Sequence, residues 1–255
     1  MGFQSQICVT MITGFLATGC ASTGVLQHED LNKHLLEIDS VVIAPPVVSI
    51  EYVAFDSLNE RMRDEEERIR RSLVNVAERA LYDHGYDVVE FDFEQALNED
   101  SEFAFRVELL RHEFGFIRRE LRENPNKPEG SRDSFRSSVG SIANTLSEKS
   151  GADAILLMHY NGFQKSAGLI VKDATVALAV GVLTGITLVS PQNGATVELV
   201  MIDGTTGSVL WADVRGAAGL NAQATKTSME DLPHDVDVGE DEDEAEDLEE
   251  QEPFE

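Results

Sequence analysis

The chain has 255 residues with 47 Asp and Glu against 20 Lys and Arg, a formal charge of −27; this length predicts one or two domains, and one is the working assumption. Such an acidic balance argues against nucleic acid as a partner, because a phosphate backbone needs a positive patch to displace its counterions. Hydrophobic residues make up 42% and include 12 Phe, enough to fill a core, which excludes a wholly disordered chain.

The first element is an uncharged, mostly apolar run of 11 residues, Ile7 to Ala17, too short to span a bilayer but suited to the core of a secretory signal. The order Ala17-Thr18-Gly19-Cys20 resembles a bacterial lipobox, which implies cleavage between Gly19 and Cys20 and acylation of Cys20. Residues 1–6 hold no Lys or Arg, and Leu16 stands one place earlier than the usual lipobox leucine, so a plain cleaved signal or a buried segment stay open. Cys8 would leave with the signal, and the mature chain would then hold neither a free thiol nor a disulfide. Ala21, by likeness to Gram-negative lipoproteins, favours the outer membrane over the inner. Ala21 to Asn32 is polar without a sustained apolar period and reads as a tether. The expected organisation is a signal at 1–19, lipidated Cys20 and tether over 20–37, an α/β domain over 38–216 and a tail over 217–255.

Ile38 to Ile50 is β-branched and continuously apolar through Val41-Val42-Ile43, as a central strand covered on both faces would be, and Pro45-Pro46 stops it. Ser57-Leu58-Asn59-Glu60 matches a capping box. From Leu58 to Gly85, Met62, Ile69, Leu73, Val76, Ala77, Ala80 and Leu81 recur at helical spacing. Asp64 to Glu67, followed by Arg68, Arg70 and Arg71, reads as a solvated face of that helix. Tyr86 to Phe91 predicts a short strand. Phe103, Val107, Leu110, Phe114, Ile117 and Leu121 predict a second helix over 101–122, facing the core or a partner helix. Asn124 to Gly130 breaks the chain, and a third helix is expected over 134–150. Gly151 to Tyr160 reads as a turn and a buried strand, and Ala195 to Ile202 with Ser208 to Val214 as a hairpin. The fold class is therefore α/β (α+β), a mixed sheet flanked by helices.

The segments GADAILLMHYNG and ATVELVMIDGTTGSVLWADVRG resemble the second half of envelope lipoproteins related to the curli secretion-channel lipoprotein, the penicillin-binding-protein activator lipoproteins and the N-terminal domain of TolB. The likeness runs over roughly residues 38 to 216, with Asp153, Asp203, Gly204, Gly207 and Trp211 in matching places. It implies a TolB-N-terminal-like fold and an envelope location. It implies no active site, since those relatives act by binding and assembly, and the matching residues are of structural type.

Ala174 to Val189 carries no charge, and Ala177, Gly181 and Gly185 lie four apart, a smooth stripe if the segment is helical. A helix buried on the sheet, a surface for self-association or membrane contact, and part of a membrane-crossing hairpin compete as readings. The run EDEDEAEDLEEQE cannot form a packed core and predicts a disordered acidic tail. No Gly-x-Ser-x-Gly elbow, P-loop, GxGxxG or His-Glu-x-x-His motif occurs, and the six histidines are dispersed. His159, at the end of a buried-looking strand, is expected to be structural.

These readings converge on a periplasm-facing lipoprotein of the outer membrane, held by a lipid anchor on Cys20. It is expected to serve as a non-catalytic binding or assembly factor with an envelope protein partner or by self-association. No cofactor or metal is expected. The alternatives are an oligomeric secretion or channel subunit using residues 168–190 in the membrane, and a hydrolase with an unrecognised site.

Overall fold

The computed structural model describes residues 25–28, 30–54, 60–123, 138–174 and 191–233. Gly19, Cys20, Ala177, Gly181 and Gly185 all lie outside these residues, as do Ser57 to Asn59 of the expected capping box and the acidic run after Pro233.

Leu26–Gln27 (β1) pairs with β8 at the edge of the sheet and is followed by a short helix, Leu31–Leu35 (α1); β8 is Val209–Ala218. The expected tether over 20–37 is thus shorter than its polar composition suggests: Leu31 and Leu35 are buried. Ser40–Ile43 (β2) and Val47–Val53 (β3) follow. Pro45-Pro46 does stop the first, since proline has no N–H to donate to a ladder. The chain then rejoins the same neighbouring strand, Ala154–Lys165. Ile43 lies opposite Leu156 and Val47 opposite His159, four steps against three, so the prolines are absorbed as a one-residue excess.

Glu60–Arg61 (β4) pairs with β3, and the long helix Arg63–Asp83 (α2) starts only after it. The helix expected from residue 58 is therefore displaced, because Glu60 is drawn into the sheet. Ile69, Leu73, Ala77 and Leu81 form its buried stripe, and Gly85 ends it at φ +90°. The Asp64 to Glu67 run is only partly solvated, since Glu66 is buried. Asp87–Val88 (β5) is the short strand expected over 86–91. Phe93–Glu99 (α3) was not foreseen; the Asp92 carboxylate caps it, accepting from the Gln95 N–H at 2.9 Å. Ser101–Glu123 (α4) turns Phe103, Val107, Leu110, Phe114 and Ile117 into the core rather than toward a partner helix. The third helix, expected from residue 134, covers Ile142–Ser150 (α5); Ser138 is bridged to Ser208 and is not helical.

Ala154–Lys165 (β6) is the strand read from Gly151 to Tyr160, and residues 167–174 (α6) are helical beyond it. Asn193–Asp203 (β7) and Val209–Ala218 (β8) form the expected hairpin. Gln223–Met229 (α7) closes the described chain. The domain does not stop at 216: Ala222, Ala224, Thr225, Ser228, Met229 and Leu232 are all buried.

The sheet runs β1-β8-β7-β6-β2-β5, with β3 beside β6 and β4 beside β3. β2 and β3 lie parallel to β6, and the β6-β7-β8-β1 half is antiparallel, so the sheet is mixed. Alternate residues of β6 serve two cores. Ala154, Leu156, Met158 and Tyr160 face α2 and α7 with Ile50, Leu73 and Trp211. Ile155 and Leu157 face α4 and α5 with Phe103, Leu110 and Val209.

The residues that carry the resemblance hold turns and junctions. Asp153 accepts from the Asp39 and Ser40 N–H groups and the Ser40 hydroxyl at 2.6–3.2 Å, pinning the start of β2 to that of β6. Asp203 accepts from the Thr205 and Thr206 N–H groups at 2.7 and 2.9 Å and closes the hairpin turn. Gly207 has φ +72°, and a Cβ there would lie 2.1 Å from the Gly140 carbonyl oxygen. Gly207→Ala therefore combines left-handed strain with a backbone clash and should destabilise the domain by about 2 kcal/mol or more. Gly216→Ala, whose Cβ meets nothing within 4 Å, should stay within about 0.5 kcal/mol of the parent. Urea denaturation of the two variants measures the contrast.

Candidate functional site

Functional chemistry in a small α/β domain needs polar groups brought together where water is limited, and several such clusters occur among the described residues. The most buried joins β6, β7 and α4. Glu198 has no exposed surface and lies opposite His159 in the β6–β7 register. The Arg118 guanidinium reaches down from α4, one turn beyond Phe114, and pairs with Glu198 through Nε. His159 Nδ1 sits 3.1 Å from the same carboxylate, close enough for Coulomb attraction once the ring is protonated, though not aligned as a hydrogen bond. His159 thus lies in a buried charged cluster with Glu198 and Arg118. Its neighbour Tyr160 faces the other core, and burial pushes its hydroxyl up to about 12.

The second cluster fastens α7. Arg215 Nε donates to Asp213 at 2.6 Å, its second arm pairs with Asp231, and the Ser228 hydroxyl donates to Asp213. The third surrounds Glu66, which accepts from the Ile50 N–H at 3.1 Å and takes a two-pronged contact from Arg61 at 2.9 and 2.7 Å. Burial pushes the Glu66 carboxyl up, but Arg61 and the Ile50 N–H outweigh it and leave the group below the usual glutamate range. An open depression of about 460 Å³ lies at the start of α2, lined by Arg61 to Glu65. Its Arg61 is already committed to Glu66. Between α4 and β6 a cavity of about 20 Å³, lined by Val107, Leu110, Phe114 and Leu157 among others, has room for about one water.

At the hairpin turn, His34 Nδ1 meets Asp203 Oδ2 at 2.8 Å, and the His28 ring stands edge-on to His34 at 5.1 Å. Burial pushes the Asp203 carboxyl up, yet hydrogen bonds from Thr206, Thr205 and His34 hold it below the usual aspartate range. Among the described residues no three His, Cys, Asp or Glu side chains come together as a metal site, and no helix is long and apolar enough to cross a membrane.

The structure brings together none of the residues picked from sequence for function, since the lipobox and the Ala177, Gly181 and Gly185 stripe lie outside it. What the sequence reading missed are Glu198, Arg118, Asp213, Arg215 and Glu66. Glu198 carried a signal: a lone carboxylate inside the apolar run ATVELVMI. Arg118 carried another, four residues after Phe114 on a buried stripe.

No family model and no curated protein matches the sequence. Among solved structures the chain is similar to a lipoprotein from Neisseria meningitidis, with 12% identity, 71% of this chain and 81% of that one covered, and a TM-score of 0.29. A second is the PelC dodecamer from Paraburkholderia phytofirmans, with 11% identity, coverage of 75% and 81%, and a TM-score of 0.29. A third is the LpoB C-terminal domain from Salmonella enterica, with 14% identity, coverage of 76% and 96%, and a TM-score of 0.24. TM-scores this low carry no argument; the mixed α/β fold stands on the strand order and the two cores described above.

Two predictions follow from the clusters. Arg118→Met should lower the unfolding free energy by about 3 kcal/mol by leaving Glu198 buried without its guanidinium, and adding Glu198→Leu should recover most of that loss. Urea titration of the single and double variants measures both, and equal losses would show that the cost comes from packing instead. Asp203 and Glu66 have folded pKa values below their unfolded ones. Each therefore contributes stability that is present above about pH 4 and is lost as the pH falls through the folded values. Asp203→Asn, which does not titrate, should flatten the acid limb of the stability profile. Urea midpoints taken between about pH 2 and pH 7 test this, and an unchanged limb would remove Asp203 from the account.

Proposed function

We propose that this protein is an outer-membrane lipoprotein facing the periplasm, acylated on Cys20 after cleavage at Gly19, and that its domain acts by binding another envelope component without catalysis. The observation that carries the reading is the apolar run Ile7 to Ala17 ending in Ala17-Thr18-Gly19-Cys20, five residues before Val25, the first described residue. A multiply acylated cysteine holds a domain firmly, because each buried methylene contributes about 0.8 kcal/mol. The polar clusters support binding over chemistry: Glu198, Asp213 and Glu66 are each engaged with an arginine inside the packed domain.

The outward face of α4 supplies a surface for a protein partner. Phe105 is 63% exposed and Phe116 49%, three turns apart, and Phe116 is flanked by the His112 ring at 5.0 Å and by the Arg119 guanidinium at 5.5 Å. Aromatic rings beside a cation are groups that protein interfaces favour. The stripe Ala177, Gly181 and Gly185 is proposed as a second surface, for self-association or for lipid. The uncharged stretch around it favours one further reading, an oligomeric secretion or channel subunit using residues 168–190 in the membrane.

Three measurements test these readings. Metabolic labelling with palmitate should mark the wild type and not Cys20→Ala, and equal labelling would refute the anchor. A photo-crosslinker at Phe116 in the native envelope should capture a discrete protein partner that a crosslinker at buried Leu110 does not. Light scattering of the purified protein in detergent separates binding factor from channel: a monomer excludes the second.

A further inference from the structure

α4 bears two stripes on opposite sides. Phe103, Val107, Leu110, Phe114 and Ile117 face the core. Away from it, Phe105, Leu109, His112 and Phe116 recur at spacings of four, three and four, and Glu102 and Arg119 stand three residues beyond the two ends. At about 3.6 residues per turn these six lie within roughly 100° of arc along about 26 Å of helix. All are exposed except Leu109, which is half-buried. Spacings that alternate between three and four are those of helices that wind around each other, because successive turns then present a residue to the same neighbour.

The order of residues in this outer line selects the neighbour. Read backwards, it is complementary to itself. Laid antiparallel against a second copy, with Leu110 level with Arg111 of the other chain, Glu102 meets Arg119, Phe105 meets Phe116 and Leu109 meets His112. Each contact occurs twice, since a two-fold pair is reciprocal. On one flank Arg106 comes within about 3 Å, measured along the axis, of Glu113 of the other copy. A parallel pair would set Glu102, His112 and Arg119 each against its own like, with Glu108 beside Glu113, so charge decides the direction.

The ion pairs these side chains hold are within the helix and exposed: Arg106 lies 3.0 Å from Glu102, and His112 Nδ1 3.8 Å from Glu113. Pairs of this kind exchange partners at little cost. The Arg119 guanidinium stands 5.5 Å over the Phe116 ring, beside the place where Phe105 of the other copy would pack. A second copy brings the same net charge of −27. Along this face, however, Glu102, Glu108 and Glu113 are balanced by Arg106, Arg111 and Arg119, and charges farther away are screened over about 8 Å.

We propose that α4 pairs antiparallel with α4 of a second copy of this chain, joined by the contacts of Phe105 with Phe116 and oriented by Glu102 with Arg119 and Arg106 with Glu113. The proposal rests on the reading of this face as a protein surface and names its occupant. One helix from each copy is a contact at the low end of interface sizes, so the dimer is a weak one.

The test is sedimentation velocity of the full chain in detergent at rising concentration, which should show a monomer passing to a dimer. Arg106→Glu and Glu113→Arg should each weaken that dimer about tenfold, since each sets like charges together twice. An equimolar mixture of the two variants, or both changes in one chain, should restore it. Phe105→Ser, at a side chain that is 63% exposed, should keep the urea midpoint of the parent and leave only monomer; Phe116→Ser repeats the reading should it fail to fold. A monomer at every concentration, or an oligomer whose size ignores these variants, overturns the pairing. In the native envelope, a photo-crosslinker at Phe116 should join a second copy at the peptide that carries Phe105. Capture of a different protein there overturns the pairing and leaves α4 a protein surface. Capture of lipid, or of nothing, overturns both.

Discussion

A strand buried on both faces must find partners on both edges and cover on both sides, and β6 imposes this requirement on the rest of the molecule. Seven of its first seven residues, Ala154 to Tyr160, are buried. One edge is taken by β7 over eleven register pairs and the other by β2 and β3 in succession. The Pro45-Pro46 interruption is tolerated because it falls between those two, where one extra residue is looped out of the ladder. Each core then contains residues of β6, so neither helical layer is independent of the other. Cutting into β6 would expose both cores at once, and that coupling is what makes a single cooperative unit of a chain with a mixed topology.

The acids buried against this frame work differently from the apolar core. Glu198, Asp213 and Glu66 each sit where a hydrophobic side chain would pack, and each holds an arginine: Arg118 of α4, Arg215 of the same strand β8, which also reaches Asp231 beyond α7, and Arg61 of β4. Taking such charges out of water costs several kcal/mol per ion, and the attraction regained seldom exceeds that by much. Their effect is to fix positions. Arg118 ties α4 to β7, Arg215 brings Asp231 and Asp213 brings Ser228 to β8, and Arg61 with Glu66 ties the start of α2 to Ile50 of β3. A wrong register in any of these would leave a bare carboxylate inside, which is a far larger penalty than a lost methyl contact.

Much of this frame was legible in the sequence. The α4 stripe and the β7–β8 hairpin follow from periodicity and a glycine turn, because every turn of the helix and every residue of the strands meets the core. The failures have local causes. The capping-box pattern from Ser57 pointed to a helix start, but Glu60 and Arg61 gained ladder pairing with β3 that a helix would forfeit. Glu66 was read as one of four surface acids, although it occupies the stripe position between Met62 and Ile69. The segment after Gly216 was assigned to the tail because alanine, serine and threonine have little hydropathy signal, yet Ala224, Thr225 and Ser228 are buried. Of the candidate site residues, periodicity could say nothing about Cys20, whose meaning is chemical and lies in its neighbours Ala17, Thr18 and Gly19.

The edges of the sheet bear on how such a protein behaves among its copies. An open strand edge offers unpaired N–H and C=O groups to any neighbour, and proteins blunt it with short edge strands and charge. Here β1, β4 and β5 are each two residues long, and the chain carries −27. For a domain proposed to be tethered to a bilayer, neighbours meet at raised local concentration, so the tendency to pair edge to edge would be amplified. β1 covers only Trp211 and Ala212 of β8, and β4 only Glu51 and Tyr52 of β3, so it is the shared negative charge that opposes pairing of copies, over about a Debye length, roughly 8 Å at physiological ionic strength. Contacts with a different protein escape that penalty, provided that the partner brings positive charge or uses the aromatic face of α4 instead of a strand edge.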